Sequence, residues 1–179
     1  MNKILSILLL FSLLSCQQNT SSKVFRKDFT SEEESIIKES KDLMKQAYFA
    51  TLITLDENNQ PRARILETFE PDNEFVIWMG TNPHSRKVQQ IQNNSTATLH
   101  YFDKALMGYV SLMGKAYMVN NDSLKAIKWK DGWERFYPDR KKDYMLIKFV
   151  PETLEFIGIV RGYTGDKKTW APHNVILRK

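Results

Sequence analysis

Cysteine is almost absent from this chain. Its 179 residues hold one, Cys16, so an intramolecular disulfide and a cysteine-based metal cluster are both excluded. Histidine is nearly as scarce. His84, His100 and His173 show no helical ligand spacing and no His-Glu-x-x-His run, so no metal site is expected. With 7 glycines and 6 prolines, the chain is neither low-complexity nor collagen-like, and no internal repeat is found. Charge of one sign does not dominate. The net +5 suits a phosphate-bearing ligand or an anionic surface, and equally serves solubility. No basic stripe with interleaved aromatics is present, which argues against a nucleic-acid partner. No side chain stands out as a general acid or base, so no catalytic residue is assigned. What is abundant is apolar: 42% of residues, with 12% aromatic, enough for one well-packed domain.

The one long apolar run, Ile4 to Leu14, follows the short basic segment Met1-Asn2-Lys3. It is too short to cross a bilayer as a helix and has the length of a signal-peptide core. Leu13-Leu14-Ser15-Cys16 then looks like a bacterial lipobox, with the only thiol immediately after a small residue. The expectation is a signal peptide over 1–15 and lipidation at Cys16. A polar tether over 16–30 would follow, then one domain over 31–179. That describes an exported protein held at the cell envelope by its lipid alone, in a leaflet left open. An ordinary signal peptide with a chance cysteine is the competing reading.

Ser31-Glu32-Glu33-Glu34 fits a capping box, with Ser31 as N-cap and Glu34 reaching back. The stripe Ile36, Ile37, Ser40, Leu43, Met44, Ala47 then predicts a helix over Ser31 to Gln46. Beyond it the period changes. Tyr48 to Leu55, Arg62 to Phe69 and Phe75 to Met79 read as three strands of an antiparallel meander, joined by turns at Asp56–Gln60 and Pro71–Glu74. A short helix is predicted over Arg86 to Asn93, then strands over Thr96 to Phe102 and Tyr109 to Val119. Asn120 to Tyr137 reads as an aromatic-rich helix. Tyr144 to Val150 and Thr153 to Val160 close the sheet, with a last strand at Val175 to Leu177. About seven strands with a leading helix and small inserted helices favour a mostly-β fold and a small barrel.

Arg62 and Arg64 lie two apart on one strand and so point to one face, towards either solvent or an anion. The loop Gly80-Thr81-Asn82-Pro83-His84-Ser85-Arg86-Lys87 opens a helix, where backbone amides favour phosphate. Thr81 and Ser85 add hydroxyls, Arg86 a bidentate fork and Lys87 a point charge. Two strand arginines and this loop are positioned to converge on one phosphate. The competing reading is that these charges merely solvate a strand and a helix end.

Arg64-Ile65-Leu66, Phe75-Val76-Ile77-Trp78, Thr81 to Lys87, and Asn93-Asn94-Ser95-Thr96-Ala97 follow one another at a recognisable spacing. The stretch from Gln60 to Phe102 resembles the flavin-binding part of the pyridoxamine 5′-phosphate oxidase-like family. The later Trp129, Trp133, Phe136-Tyr137-Pro138 and Tyr144 to Pro151 resemble its bacterial general stress protein branch. The resemblance implies an FMN-binding split β-barrel, antiparallel and Greek-key-like, with FMN in a groove between two subunits of a homodimer. It implies that Arg64 meets the phosphate or ribityl chain. Ile65 and Leu66 would offer backbone groups to the isoalloxazine edge. Thr81 and Ser85 would flank the polar tail, and Arg86 and Lys87 would bind the phosphate. Tyr109 stands where the oxidase subfamily has a flavin-touching glutamine.

Two departures stand out. Phe69 replaces a lysine of the oxidase subfamily, and the tail reads Thr169-Trp170-Ala171-Pro172-His173 in place of that subfamily's Arg-x-His-Asp-Arg. Pyridoxamine phosphate is therefore not the expected substrate. The expectation is an FMN-binding oxidoreductase acting on an unidentified small molecule. The alternative is a non-catalytic flavin, deazaflavin or haem-binding stress protein of the same fold. Trp170 or His173 would cover a substrate face, or simply pack.

Overall fold

The computed structural model describes residues 23–179. The leader, the lipidation site Cys16 and the start of the expected tether lie outside the described residues. The first helix, α1 (Ser31–Ala47), begins one residue earlier in its capping box than the sequence suggests. Glu33 N–H donates to Thr30 Oγ1 at 3.2 Å, and Thr30 N–H donates back to Glu33 Oε2 at 2.9 Å. Thr30–Glu33 and Ser31–Glu34 both have the right spacing. A tertiary contact favours the first: Arg26 donates to Glu33 Oε1 at 2.9 Å. Ile36, Ser40, Leu43 and Met44 form the buried stripe of α1.

Seven antiparallel strands make one curled sheet. They are β1 (Phe49–Leu55), β2 (Pro61–Glu67), β3 (Ile77–Thr81), β4 (Thr96–Asp103), β5 (Gly108–Val119), β6 (Met145–Gly158) and β7 (His173–Ile176). The helix α2 (Arg86–Asn93) falls where the sequence predicted it. The strand order is β2-β1-β4-β5-β6-β3, with β7 on the other half of β6. An isolated bridge between Thr68 and Met79 draws the two ends of this order together, with Phe69 N–H donating to Trp78 O at 2.9 Å. The curled sheet is that of a split barrel.

The expected meander is therefore corrected. β2 pairs along its length with β1, while β3 crosses to pair with β6. The patterns explain it. β2 is exposed at Pro61–Ala63, as suits a sheet edge, whereas β3 is buried along nearly its whole length and needs cover on both faces.

Two strands expected around Pro151 are one continuous strand, β6. Pro151 lies opposite Gly114 at a register shift in β5, where the missing N–H breaks no regular ladder. A Cβ on Gly114 would lie 2.2 Å from Val150 O, so the bulge needs glycine.

The predicted helix over Asn120–Tyr137 is also corrected. Only α3 (Asp122–Ile127) and a single turn at Trp133–Arg135 are helical, separated by Gly132 at φ +85°. Trp129, Trp133 and Tyr137 mimic a helical stripe by their spacing. In the fold they cluster with Tyr144 instead, ring centroids 5.0–6.1 Å apart.

The main core lies inside the curl, under α1, and includes Leu52, Ile77, Leu99, Leu112, Phe149 and Phe156. From Val24 onward the stretch read as tether is docked. Val24 and Arg26 N–H groups donate to Lys179 O and Leu177 O, each at 2.9 Å. Buried Arg178 stacks on Phe25 and donates to Pro151 O and Glu74 O.

Candidate functional site

Arg64 sits on the edge strand β2, opposite Leu52 of β1. Its guanidinium donates to Thr54 Oγ1 at 2.6 Å and to Gln90 Oε1 of α2 at 2.7 Å. Thr54 also donates to Gln90 Oε1 at 2.7 Å. The strand arginine is thus stapled to the helix that opens the phosphate-type loop. On the same side, Lys87 Nζ donates to Thr81 Oγ1 at 3.1 Å, and Thr81 and Ser85 hydroxyls lie 3.1 Å apart. Ser85 is the N-cap of α2 but makes no side-chain capping bond, so the Arg86 and Lys87 amides carry no side-chain cap, while Val88 N–H donates to Ser85 O at 2.9 Å.

The electrostatics of this cradle are one-sided. Among the described residues, none of Arg64, Arg86 and Lys87 has a carboxylate within 4.0 Å. Burial lowers the pKa of Arg64, and the neighbouring Arg86 charge lowers it further. Burial likewise lowers Lys87, with Arg64 adding to it. Half-buried cations that repel one another and lack a carboxylate partner are stabilised by an anion placed beside them. Arg62 does not join them. It shares the face, as period two requires, but pairs with Asp56 Oδ2 at 2.7 Å and stays exposed. Arg86 lines an open depression of about 330 Å³ with Asp56, Arg62 and Gln90.

An aromatic groove of about 240 Å³ adjoins the cradle. Ile65 and Leu66 line it from β2, Gly80 from β3, and Trp133, Phe136 and Tyr137 from the segment after α3. Arg64–Ile65 and Gly80–Thr81 are adjacent in the chain, so cradle and groove meet at the edge of β2 and the end of β3, with Arg64 and Ile65 on opposite faces of their strand. Ile65 is 70% exposed, and its backbone lies on the edge of the sheet. Gly80 is required here by close approach: a Cβ would lie 2.6 Å from the Trp133 ring and 2.8 Å from the Tyr144 ring.

Glu67 closes the far end of the groove. It accepts from Tyr48 OH, from Trp133 Nε1 at 2.7 Å and from Lys130, whose Nζ lies 2.9 Å away. Burial pushes its pKa up, but the three donors outweigh this and hold it below the ordinary carboxylate value.

Within one chain the structure brings together Arg64, Thr81, Ser85, Arg86 and Lys87, with Ile65 and Leu66 alongside. Tyr109 lies elsewhere. It stacks on His100 at 5.4 Å and lines an apolar depression of about 500 Å³ with Ile157, Ile159 and Trp170. Trp170 is 83% exposed, and His173 packs edge-on against Tyr163 at 5.5 Å. Sequence reasoning missed Thr54, Gln90, Glu67 and Lys130, and named Gly80 only as the start of the loop. Only Gly80 carried a signal, as a glycine ending a buried strand next to Thr81.

The pyridoxamine 5′-phosphate oxidase family model matches residues 36–158, and the chain belongs to that family. No curated protein matches it. Among solved structures it resembles a protein related to general stress protein 26 from Clostridium acetobutylicum, with TM-score 0.65, 21% identity, and 81% and 95% of the two chains covered. General stress protein 26 from Bacillus anthracis gives TM-score 0.63 and 22% identity, with 83% and 100% covered. A pyridoxamine 5′-phosphate oxidase-related, FMN-binding protein from Nostoc punctiforme gives 0.55 and 13%, with 85% and 99% covered. At these identities the likeness is one of fold.

Proposed function

We propose that this protein binds FMN and acts as an FMN-dependent oxidoreductase on a small molecule. The observation that carries the reading is the set of half-buried, uncompensated cations Arg64 and Lys87, with Thr81 and Ser85, beside a groove of apolar and aromatic side chains. A phosphate supplies the missing negative charge and accepts from the hydroxyls and amides. A flat ring fits the groove beyond it. Arg64, Ser85, Arg86 and Lys87 hold the phosphate, Thr81 flanks the polar tail, and Ile65 and Leu66 meet the ring edge with backbone groups. When bound, the flavin supplies hydride and electron transfer, and the protein positions it and limits water.

The groove is open on one side, and Phe102, Met107, Val160 and Trp170 leave an exposed apolar surface around Tyr109. Both features support a homodimer in which Tyr109 serves the cofactor across the interface. Anchoring through a lipid on Cys16 completes the reading.

Titration by flavin fluorescence tests it. Lys87→Met and Arg86→Ala are expected to weaken FMN about tenfold to a hundredfold, as loss of one charge-assisted contact of ~1.5–3 kcal/mol implies. Riboflavin, lacking the phosphate, should hardly change. Arg62→Ala should spare both, because Asp56 already holds Arg62. Equal, small effects on FMN and riboflavin would discard the phosphate assignment. The absorbance spectrum of the purified protein separates flavin from haem, and NAD(P)H oxidation separates enzyme from carrier. Sedimentation should report two chains. Cys16→Ser should abolish labelled fatty-acid incorporation.

A further inference from the structure

A second cavity, of about 430 Å³, lies on the other side of Glu67. That volume is within the range of small-molecule sites. Its floor is Met44, Thr68 and Tyr101, and Phe69 and Tyr48 form ring walls. Lys45, Lys128 and Lys130 stand around it with one carboxylate, Glu70. None of these residues belongs to the phosphate cradle or lines the aromatic groove.

We propose that this cavity binds a small aromatic carboxylate. The lysines supply the charge. The Lys128 ammonium makes no ion pair or hydrogen bond among the described residues; it lies 5.1 Å from the Phe69 ring centroid and 6.0 Å from that of Trp78. Lys130 is held in place: it donates to Thr68 O at 2.7 Å, pairs with Glu67, and lies over the Tyr48 and Phe69 rings at 4.6 and 4.9 Å. Two of its three ammonium protons are thereby used, and one remains for a ligand. Lys45 is balanced by Glu70 at 3.4 Å, both well exposed, so Lys128 leaves the mouth with a net positive charge.

The floor explains the other half of the ligand. The Tyr101 hydroxyl is fully buried and donates to Thr68 Oγ1 at 3.2 Å, leaving ring and methyl surface towards the cavity. Burial keeps this phenol neutral well above its ordinary range. A flat apolar body between Phe69 and Tyr48, with an anionic end at Lys128 and Lys130, matches that division. Lysine point charges with ring walls suit a carboxylate on an aromatic ring, whereas the arginine fork, hydroxyls and amides of the cradle suit a phosphate. Tyr48 adds a sign of a built site. It holds φ 63° without being glycine, a strained conformation that places its ring under Lys130 and its hydroxyl on Glu67.

The test uses the full-length chain and two probes, 2-naphthoate and its neutral analogue 2-naphthylmethanol, followed by quenching of tryptophan fluorescence. Naphthoate should bind saturably and more tightly than the alcohol. Lys128→Gln should weaken naphthoate about tenfold and leave the alcohol unchanged. Glu70→Gln, on an exposed side chain, should tighten naphthoate about twofold. Added FMN should not displace the probe, so the result stands or falls apart from the flavin reading. No saturable binding, equal affinity for acid and alcohol, an unchanged ratio in Lys128→Gln, or displacement by FMN would each overturn the proposal.

Discussion

One strand carries two charged centres of opposite design. Arg64, near the middle of β2, joins Arg86 and Lys87 without a carboxylate partner. Glu67, at the end of the same strand, is surrounded by Tyr48, Trp133 and Lys130 and is fully answered. The difference separates structural from functional charge. A compensated cluster, in which the carboxylate is met by three donors, ties together β2, the end of α1 and the aromatic segment after α3. An uncompensated cluster costs the fold something and becomes favourable only when an anion arrives.

The sharpest way to break this comparison is to remove Glu67. Glu67→Ala strands the half-buried Lys130 ammonium and the Trp133 N–H, and should cost about 2–4 kcal/mol in urea unfolding. Gly80→Ala follows, at about 1–3 kcal/mol, because the added methyl drives into the Trp133 and Tyr144 rings that pack beside that cluster. On the other side of the comparison, Lys87→Met should leave the ligand-free protein as stable or up to about 1 kcal/mol more stable, since it removes an uncompensated half-buried charge. On the proposed reading the same variant should weaken FMN. A Lys87→Met protein that unfolds as readily as Glu67→Ala would erase the distinction.

The smallest effect is in pH. The Lys87 ammonium in the folded protein is lowered below its ordinary 10.5 by burial and by Arg64. Between that lowered value and 10.5 the unfolded chain binds more protons than the folded one, so ligand-free stability should rise with pH across the window. A bound phosphate favours the protonated form. FMN affinity should therefore fall as pH rises through the lowered value, and Lys87→Met should flatten both trends. Urea midpoints and fluorescence titrations from pH 7 to about 10 would show it.

Much of the site was legible because its signals are local. Thr81, Ser85, Arg86 and Lys87 lie within seven consecutive residues at a helix start, and the period-two placement of Arg64 needs only strand geometry. Glu67, Gln90, Thr54 and Lys130 were not legible. Each acts through a partner distant in sequence, and nothing in a single glutamate on an edge strand announces three donors from two other segments. Arg62 shows the limit from the other side. It has the same strand, face and residue type as Arg64, yet Asp56 holds it out of the cradle.

The sequence by itself determined the elements whose forces are short-range: α1 and its acidic first turn, α2, the position of most strands, and the loop chemistry at Thr81 to Lys87. The tertiary structure decided the rest. Pairing order is a matter of which faces need burial, so β3 left β2 for β6. The spacing of Trp129, Trp133 and Tyr137 satisfies a helix on paper, but Gly132 in the left-handed region and the flat surface offered by Gly80 let those rings gather around Tyr144 instead. Whether a charge is structural or awaits a ligand depends on what stands within 4 Å of it. Chain order fixes that only after the sheet has closed.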